Sequence, residues 1–204
     1  MISLAPEPDW ADAVFVEDPA VVVDEVAVMT RMGVASRRGE TASLARALAP
    51  LRPLHWLREP ATLEGGDVVR IGRTLFAGLS RRTNRDGIVQ LADILRPFGY
   101  SVVPVEVRGC LHLKSACCSL GQGAVLANRA WFDAAPFRDL RIIDVGEPWA
   151  ADVLTIGRTV LMPNAFPRTR RVLEESGWRV EPIDVSELMK AEAGVTCMSI
   201  LFDT

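Results

Sequence analysis

The chain has 204 residues, of which 49% are apolar, and its formal net charge at pH 7 is −3. This length predicts one domain with its own core, or at most two small domains. The acidic balance argues against nucleic-acid binding, which usually requires a basic surface. We find neither an apolar run of the roughly 18 residues that a membrane span needs nor the start of a signal peptide, so we expect no membrane association.

The cysteines are typical of reduced thiols. Cys110, Cys117 and Cys118 lie close together in the sequence, and Cys197 lies near its end. The chain has two histidines and no CxxC pair, so the residues do not form a zinc-binding pattern and we predict no metal site. Together these features predict a protein of the reducing cytoplasm.

Internal similarity indicates a repeated unit. GDVVRIGRTLF, which begins at Gly66, matches ADVLTIGRTVL, which begins at Ala151. Comparable β-rich segments open near Asp18, Ser115 and Ser199. Spacings of roughly 20–50 residues are typical of repeat architectures.

The unit reads as strand, strand, helix, strand. Its clearest hairpin joins Asp67–Ile71 to Thr74–Leu79 across a two-residue turn. Apolar periodicity then predicts helices and single strands. In chain order these are a helix over Thr41–Leu51, a strand over Leu54–Leu57, a helix over Gly87–Phe98, a strand over Ser101–Val107, a short helix over Ala134–Leu140, a helix over Pro167–Ser176 and a strand over Arg179–Ile183.

Repeated units arranged around an axis would bring one residue from each unit to a common centre. The corresponding residues are Asp18, Glu64, His112 and Cys197. A thiol beside an imidazole forms a nucleophile pair, and a carboxylate on the second imidazole nitrogen would fix its tautomer. The sequence therefore predicts a single central site with a cysteine nucleophile.

Further charged residues suggest the class of substrate. Asp12, Glu17 and Asp18 form an acidic segment that suits a planar guanidinium group. Arg37 and Arg82 follow the first two hairpins and could hold a carboxylate. The substrate expected from these residues is a guanidinium compound that also carries a carboxylate, such as an arginine derivative.

Structural roles remain open for the same residues. Cys197 could be a buried thiol, His112 a core histidine, and the two arginines simple charges beside helices. Asp67 could stabilise a turn instead of taking part in a site. We interpret His55 as structural and the three remaining cysteines as packing residues.

The strings FVEDPAVV, SRRGE, LEGGDVV, RTN, LHLKS and GVTC together resemble the dimethylarginine dimethylaminohydrolase family of the guanidine-modifying (pentein) superfamily. The resemblance extends from about Asp9 to Leu201. It implies an α/β fold, namely a five-fold pseudosymmetric α/β propeller of ββαβ repeats with one incomplete blade. Residues 1–204 would then form one catalytic domain.

The resemblance also implies a reaction, in which methylated arginine is hydrolysed to citrulline and a methylamine through a covalent cysteine adduct, without a cofactor. It assigns Cys197 as nucleophile, His112 as general acid and base, Glu64 as its orienting carboxylate, Asp18 with Glu17 and Asp12 as guanidinium ligands, and Arg37 with Arg82 as ligands of the amino-acid carboxylate.

The chain departs from this family at its N-terminus. Family members carry a further segment before the part that begins here at Pro8, so a strand over Met198–Phe202 would lack its partner. We expect either a misassigned start or a natural short form.

Two other functions remain open. One is an arginine or agmatine deiminase, although agmatine has no carboxylate for Arg37 and Arg82 to bind. The other is an inactive guanidine-binding protein. A small guanidine compound is the expected partner, with no nucleic acid and no membrane, and a homodimer is compatible with the sequence.

Overall fold

The computed structural model describes residues 1–203, in which four sheets of three strands follow one another along the chain. In every sheet the first two strands are antiparallel neighbours and the third runs parallel to the second. We call these sheets blades 1 to 4. Their strands are β1 (Ala20–Val22), β2 (Ala27–Met29), β3 (Leu54–Trp56), β4 (Val68–Ile71), β5 (Thr74–Leu79), β6 (Ser101–Glu106), β7 (Cys117–Gly121), β8 (Ala124–Ala127), β9 (Arg141–Asp144), β10 (Leu154–Ile156), β11 (Thr159–Pro163) and β12 (Arg179–Ile183).

Helices make the crossovers between the second and third strands of three blades. The α-helices are α1 (Thr41–Leu48), α2 (Arg85–Leu95), α3 (Leu113–Ala116), α4 (Pro167–Glu175) and α5 (Ser186–Met189). The side chain of Asn84 starts α2 by accepting a hydrogen bond from the amide of Gly87 at 2.8 Å. None of the helices in residues 1–203 has the length and apolarity needed to cross a lipid bilayer.

The predicted repeat is confirmed by strand pairing. Val68 faces Ala77 and Ile71 faces Thr74 in the hairpin of blade 2. Its turn includes Gly72 at φ +59°, a left-handed conformation that glycine adopts without steric cost. The hairpin of blade 4 has the same form, because Leu154 faces Leu161. The matching strings found in the sequence therefore mark equivalent hairpins.

The apolar core lies between successive blades. One cluster joins blades 1 and 2, the next joins blades 2 and 3, and a third joins blades 3 and 4. In the third, Leu120 of β7 and Val160 of β11 are fully buried. Because each blade packs on the next, the segments that precede their first strands are brought to one region.

Two predicted elements differ from the structure. Ala134–Leu140 contains only a short 3-10 turn, Ala135–Phe137, which buries Phe137 in the core. Met198–Phe202 forms no strand, since no neighbouring strand supplies ladder hydrogen bonds. Instead Ile200 and Phe202 pack against blade 1. A cavity of about 980 Å³ lies among this segment, the N-terminal residues and α1.

Candidate active site

Three buried residues from successive repeats form the centre of the site. Asp18 precedes β1, Glu64 precedes β4 and His112 precedes β7. One carboxylate oxygen or ring nitrogen from each lies within 4.8 Å of the other two. The repeat register predicted that these three residues and Cys197 lie together; the structure brings Asp18, Glu64 and His112 together, and Cys197 does not belong to this group.

The imidazole of His112 lies between two carboxylates. Its Nε2 is 2.8 Å from Oε2 of Glu64, and its Nδ1 is 3.9 Å from Oδ1 of Asp18. Burial lowers the pKa of His112, but the charge of Asp18 and the hydrogen bond to Glu64 raise it to about 9. At neutral pH the ring therefore carries a proton that it can donate.

Glu64 is fully buried and held on several sides. Its Oε1 accepts a hydrogen bond from the amide of Gly33 at 3.0 Å, and Nη1 of Arg82 lies 3.3 Å from both carboxylate oxygens. Burial raises the pKa of Glu64, but the hydrogen bond and charge of His112 outweigh burial and leave it below its usual value. Glu64 therefore remains ionised and fixes the orientation of the imidazole.

Asp18 also has fixed partners. Its Oδ2 accepts a hydrogen bond from Nη1 of Arg37 at 2.7 Å, and its Oδ1 accepts one from the amide of Gly66 at 3.0 Å. Arg37 donates in addition to Glu40, at 2.8 Å, and lies 3.8 Å from the half-exposed Asp12. The role of Glu40 was not predicted, because nothing in the SRRGE string indicates that this carboxylate is buried.

The two arginines predicted to bind a substrate carboxylate both contact carboxylates of the protein. Arg37 is 5% exposed, and its three guanidinium nitrogens all donate hydrogen bonds within the chain. The side chain of Arg82 is 22% exposed. Their assignment to the substrate carboxylate stays a prediction, and of the two Arg82 has more surface available to a ligand.

The same three central residues also have the spacing of metal ligands. Their oxygens, however, already accept hydrogen bonds from Arg37, Gly66, His112 and Arg82. The positive charges of these arginines oppose the binding of a cation. The chemistry of the cluster is that of a charged histidine–carboxylate pair.

The segment that contains Cys197 is hydrogen-bonded to Glu17, the residue before Asp18. The carbonyl oxygen of Cys197 accepts a hydrogen bond from the amide of Glu17 at 3.1 Å, and the hydroxyl of Thr196 donates to Oε2 of Glu17 at 2.9 Å. Burial raises the pKa of the Cys197 thiol, and the nearby carboxylates of Asp152 and Glu17 raise it further. The thiol is therefore protonated in the ligand-free site.

A partly buried ion pair lies beside this segment. Nζ of Lys114 is 2.6 Å from Oε1 of Glu17. Burial lowers the pKa of Lys114, but the charge of Glu17 raises it overall. Both residues, with Thr196, line a cavity of about 240 Å³ that does not include His112 or Cys197. Sequence reasoning missed Lys114, although it lies within the LHLKS string.

Asp67 stabilises the segment that carries the histidine. It is fully buried and accepts a hydrogen bond from the amide of Leu113, the residue after His112, at 2.9 Å. The hydroxyls of Ser80 and Thr83 each donate to its other oxygen at 2.6 Å. The turn role that the sequence left open for Asp67 is therefore only part of its contacts, since it also binds the backbone beside His112.

The residues expected to be structural have structural surroundings. His55 packs edge-on against Phe98, with ring centroids 6.4 Å apart. Cys117 and Cys118 are buried, Cys110 is partly buried, and all of these thiols are free. None of these four residues belongs to the histidine–carboxylate cluster.

Gly66 leaves space that this cluster needs. A Cβ placed on it would lie 2.7 Å from Nδ1 of His112 and 2.8 Å from Oδ1 of Asp18. We expect Gly66→Ala to lower the free energy of unfolding by about 1–3 kcal/mol, because buried groups must shift to admit the methyl group. Gly146→Ala is the matched control, since nothing lies within 4 Å of the added Cβ. Urea unfolding measures both, and equal stabilities would contradict this account.

Comparison with known proteins identifies the family. The sequence model described as arginine deiminase matches residues 8–116. The dimethylarginine dimethylaminohydrolase of Streptomyces coelicolor is 40% identical over 98% of this chain and 78% of its own length. That of Pseudomonas aeruginosa is 36% identical over 98% of this chain and 80% of its own. The chain belongs to the dimethylarginine dimethylaminohydrolase family.

Solved structures agree with that family and with its pentein fold. A cysteine-to-serine mutant of the P. aeruginosa dimethylarginine dimethylaminohydrolase, complexed with citrulline, has a TM-score of 0.90 and 34% identity over 95% of this chain and 77% of its own. The N-terminal domain of a cyanobacterial arginine dihydrolase, 23% identical over 97% of this chain and 78% of its own, has a TM-score of 0.87 and shares the fold. The pentein-type propeller expected from the sequence is thereby confirmed.

Proposed function

We propose that this protein hydrolyses dimethylarginine to citrulline and dimethylamine. The observation that carries the proposal is the buried His112–Glu64 pair, which lies beside Asp18. The backbone of Cys197 is hydrogen-bonded to Glu17, the residue before Asp18. Membership of the dimethylarginine dimethylaminohydrolase family supports the proposal. So does the complex of the P. aeruginosa relative with citrulline.

In the proposed complex the substrate guanidinium binds beside Asp18, with Glu17 and Asp12 adding negative charge. Its planar N–H groups match carboxylate oxygens. Arg82, assisted by Arg37, binds the amino-acid carboxylate at the other end. Because Arg37 is hydrogen-bonded to Asp18, it must give up part of that contact to take this role.

The first chemical step forms a bond between Cys197 and the guanidinium carbon. The cationic substrate lowers the pKa of the Cys197 thiol, because its positive charge stabilises the thiolate, and the thiol proton passes to solvent. The thiolate adds to the carbon. His112 then donates its Nδ1 proton to the dimethylamino nitrogen, because its Nε2 is held by Glu64; the C–N bond breaks, and dimethylamine leaves.

The second step removes the adduct with water. His112, now neutral, accepts a proton from water while the oxygen adds to the thiouronium carbon. The C–S bond breaks, the thiolate leaves, and loss of the hydroxyl proton to solvent gives the neutral urea group of citrulline. Glu64 stabilises the charge of the imidazolium in both steps. The reaction consumes one water and needs no cofactor.

Hydrolysis of unmethylated arginine is a second candidate, since the arginine deiminase model matches residues 8–116. We further propose that residues 1–204 act as one guanidine-modifying domain. We place the protein in the cytoplasm, because its four free thiols suit a reducing compartment.

The proposed function is tested by measuring citrulline and amine release from dimethylarginine, monomethylarginine, arginine and agmatine with the 204-residue chain. We expect the largest kcat/KM for a methylated arginine and none for agmatine, which lacks the carboxylate. A larger kcat/KM for arginine would assign a deiminase instead. Binding of dimethylarginine by folded protein without citrulline release would identify a non-catalytic binding protein.

A further inference from the structure

Three aspartates make equivalent backbone contacts in three of the four blades, namely blades 1, 2 and 4. Each precedes the first strand of a blade, and each accepts a hydrogen bond from a backbone amide within two residues of another residue of the candidate site. The pairs are Asp18 with the amide of Gly66 at 3.0 Å, Asp67 with that of Leu113 at 2.9 Å, and Asp152 with that of Thr196 at 3.1 Å. The segments concerned carry Glu64, His112 and Cys197.

Asp152 is the member of this set that contacts the segment of Cys197. It lies two residues before the start of β10, is 4% exposed, and occupies the repeat position of Asp67. Gly194 lies directly against its carboxylate, where an added Cβ would overlap Cγ. The backbone of residues 194–196 is therefore fitted closely around one buried carboxylate.

The titratable groups that face Asp152 are Glu17, Lys114, Cys118 and Cys197. Burial raises the pKa of Asp152, and the charge of Glu17 adds to this effect, so that its pKa is about 7. Asp152 thus gains its negative charge near neutral pH, beside the segment that carries the nucleophile.

We propose that Asp152 is a positioning residue that holds the Gly194–Cys197 segment, and that its negative charge suppresses ionisation of the Cys197 thiol in the ligand-free site. The assignment of Cys197 as nucleophile rests on the proposed function. The hydrogen bond to Thr196 sets the backbone one residue before the nucleophile, while the charge opposes a second negative charge on sulfur.

The effect of the charge has a definite sign. Asp152 becomes ionised near pH 7. The Cys197 thiol loses its proton only at higher pH, when Asp152 already carries its negative charge. Asp152→Asn keeps an oxygen that can accept from the amide of Thr196 but removes the charge. Deprotonation of Cys197 should therefore become easier in this variant.

The experiment measures the rate of Cys197 alkylation by iodoacetamide as a function of pH, followed by mass spectrometry of the peptide that contains Cys197. We expect Asp152→Asn to move the midpoint of the profile down by about one pH unit. Asp144→Asn removes one exposed carboxylate at the end of β9 and is the matched control, with an unchanged profile. An unchanged midpoint in Asp152→Asn would overturn the proposal.

A second measurement uses the unsubstituted protein, so it does not depend on the folding of a variant. In the ¹⁵N-labelled chain the amide resonance of Thr196 should move with a midpoint near pH 7, because its acceptor gains charge there. A resonance that stays constant through this range would contradict the proposed charge change.

Turnover enters neither measurement, so the outcome is separate from that of the proposed function. If both shifts are observed but the protein is inactive, the role of Asp152 in thiol ionisation stands and only the proposed hydrolase function is refuted. Among active proteins, Asp152→Ala, which removes the acceptor as well, should lower kcat at least about tenfold more than Asp152→Asn. Equal kcat values for the two variants would overturn the positioning role.

Discussion

Replacing Cys197 with serine is expected to abolish citrulline formation, with a fall in kcat of at least about 10⁴-fold. The substitution changes one atom, so the hydrogen bonds of the neighbouring backbone to Glu17 and Asp152 are retained. A hydroxyl ionises far less readily than a thiol, and His112 is protonated at neutral pH and so cannot act as a base. Chemistry is therefore lost while the binding site stays intact.

Two measurements establish that this loss is chemical. Calorimetric titration with citrulline should give the Cys197→Ser variant a Kd within about threefold of that of the unsubstituted protein, since binding does not require the sulfur. Cys110→Ser is the matched control, because its hydroxyl can still donate to the carbonyl oxygen of His112, as the thiol does at 3.2 Å. Citrulline formation at an undiminished rate by Cys197→Ser would refute the cysteine mechanism.

The sequence predicted the repeated hairpins well, because their signals are local. The turn that contains Gly72 and the run Thr74–Leu79 appear in the structure as β5 and its hairpin. Elements that depend on distant partners were predicted less well. Met198–Phe202 has a strand-like composition, but without a paired neighbour it forms no strand, and Ile200 and Phe202 pack against blade 1.

The centre of the site was predictable because residues at equivalent positions of a repeat lie close together in the fold, even when they are far apart in the sequence. That reasoning brought Asp18, Glu64 and His112 together, as the structure does. It could not reveal how deeply these side chains are buried or which residues they form hydrogen bonds with. The ion pair of Arg37 with Glu40 joins residues three apart in one 3-10 turn, Ala35–Glu40, but the burial of both side chains depends on tertiary packing that no local pattern encodes.

The position of Asp152 could be predicted from the sequence, but its contacts could not. The match of ADVLTIGRT to GDVVRIGRT placed it at the same position as Asp67. The amide that each aspartate binds belongs to the segment before the next repeat unit, so the function of the position emerged only from the packing of successive units.

Replacing His112 with glycine is expected to slow hydrolysis of dimethylarginine by about 10²–10⁴-fold, the range typical of a lost general acid and base. Loss of His112 should affect the two steps of the reaction differently when the substrate has a leaving group that needs no proton. With S-methyl-L-thiocitrulline the first step can proceed without His112, because a thiolate leaves more readily than an amine. The second step still lacks a base for water, so a covalent adduct should accumulate on Cys197.

Intact-protein mass spectrometry after mixing His112→Gly with S-methyl-L-thiocitrulline detects this adduct directly. The double variant with Cys197→Ser should show none, which assigns the sulfur that carries it. His55→Gly is the matched control, because His55 lies in β3 away from the cluster and the unsubstituted rate of adduct turnover should remain. If His112→Gly released product as fast as the unsubstituted protein and held no adduct, another residue would have to activate the water. The buried pair of His112 with Glu64, at 2.8 Å, would then serve only to stabilise charge.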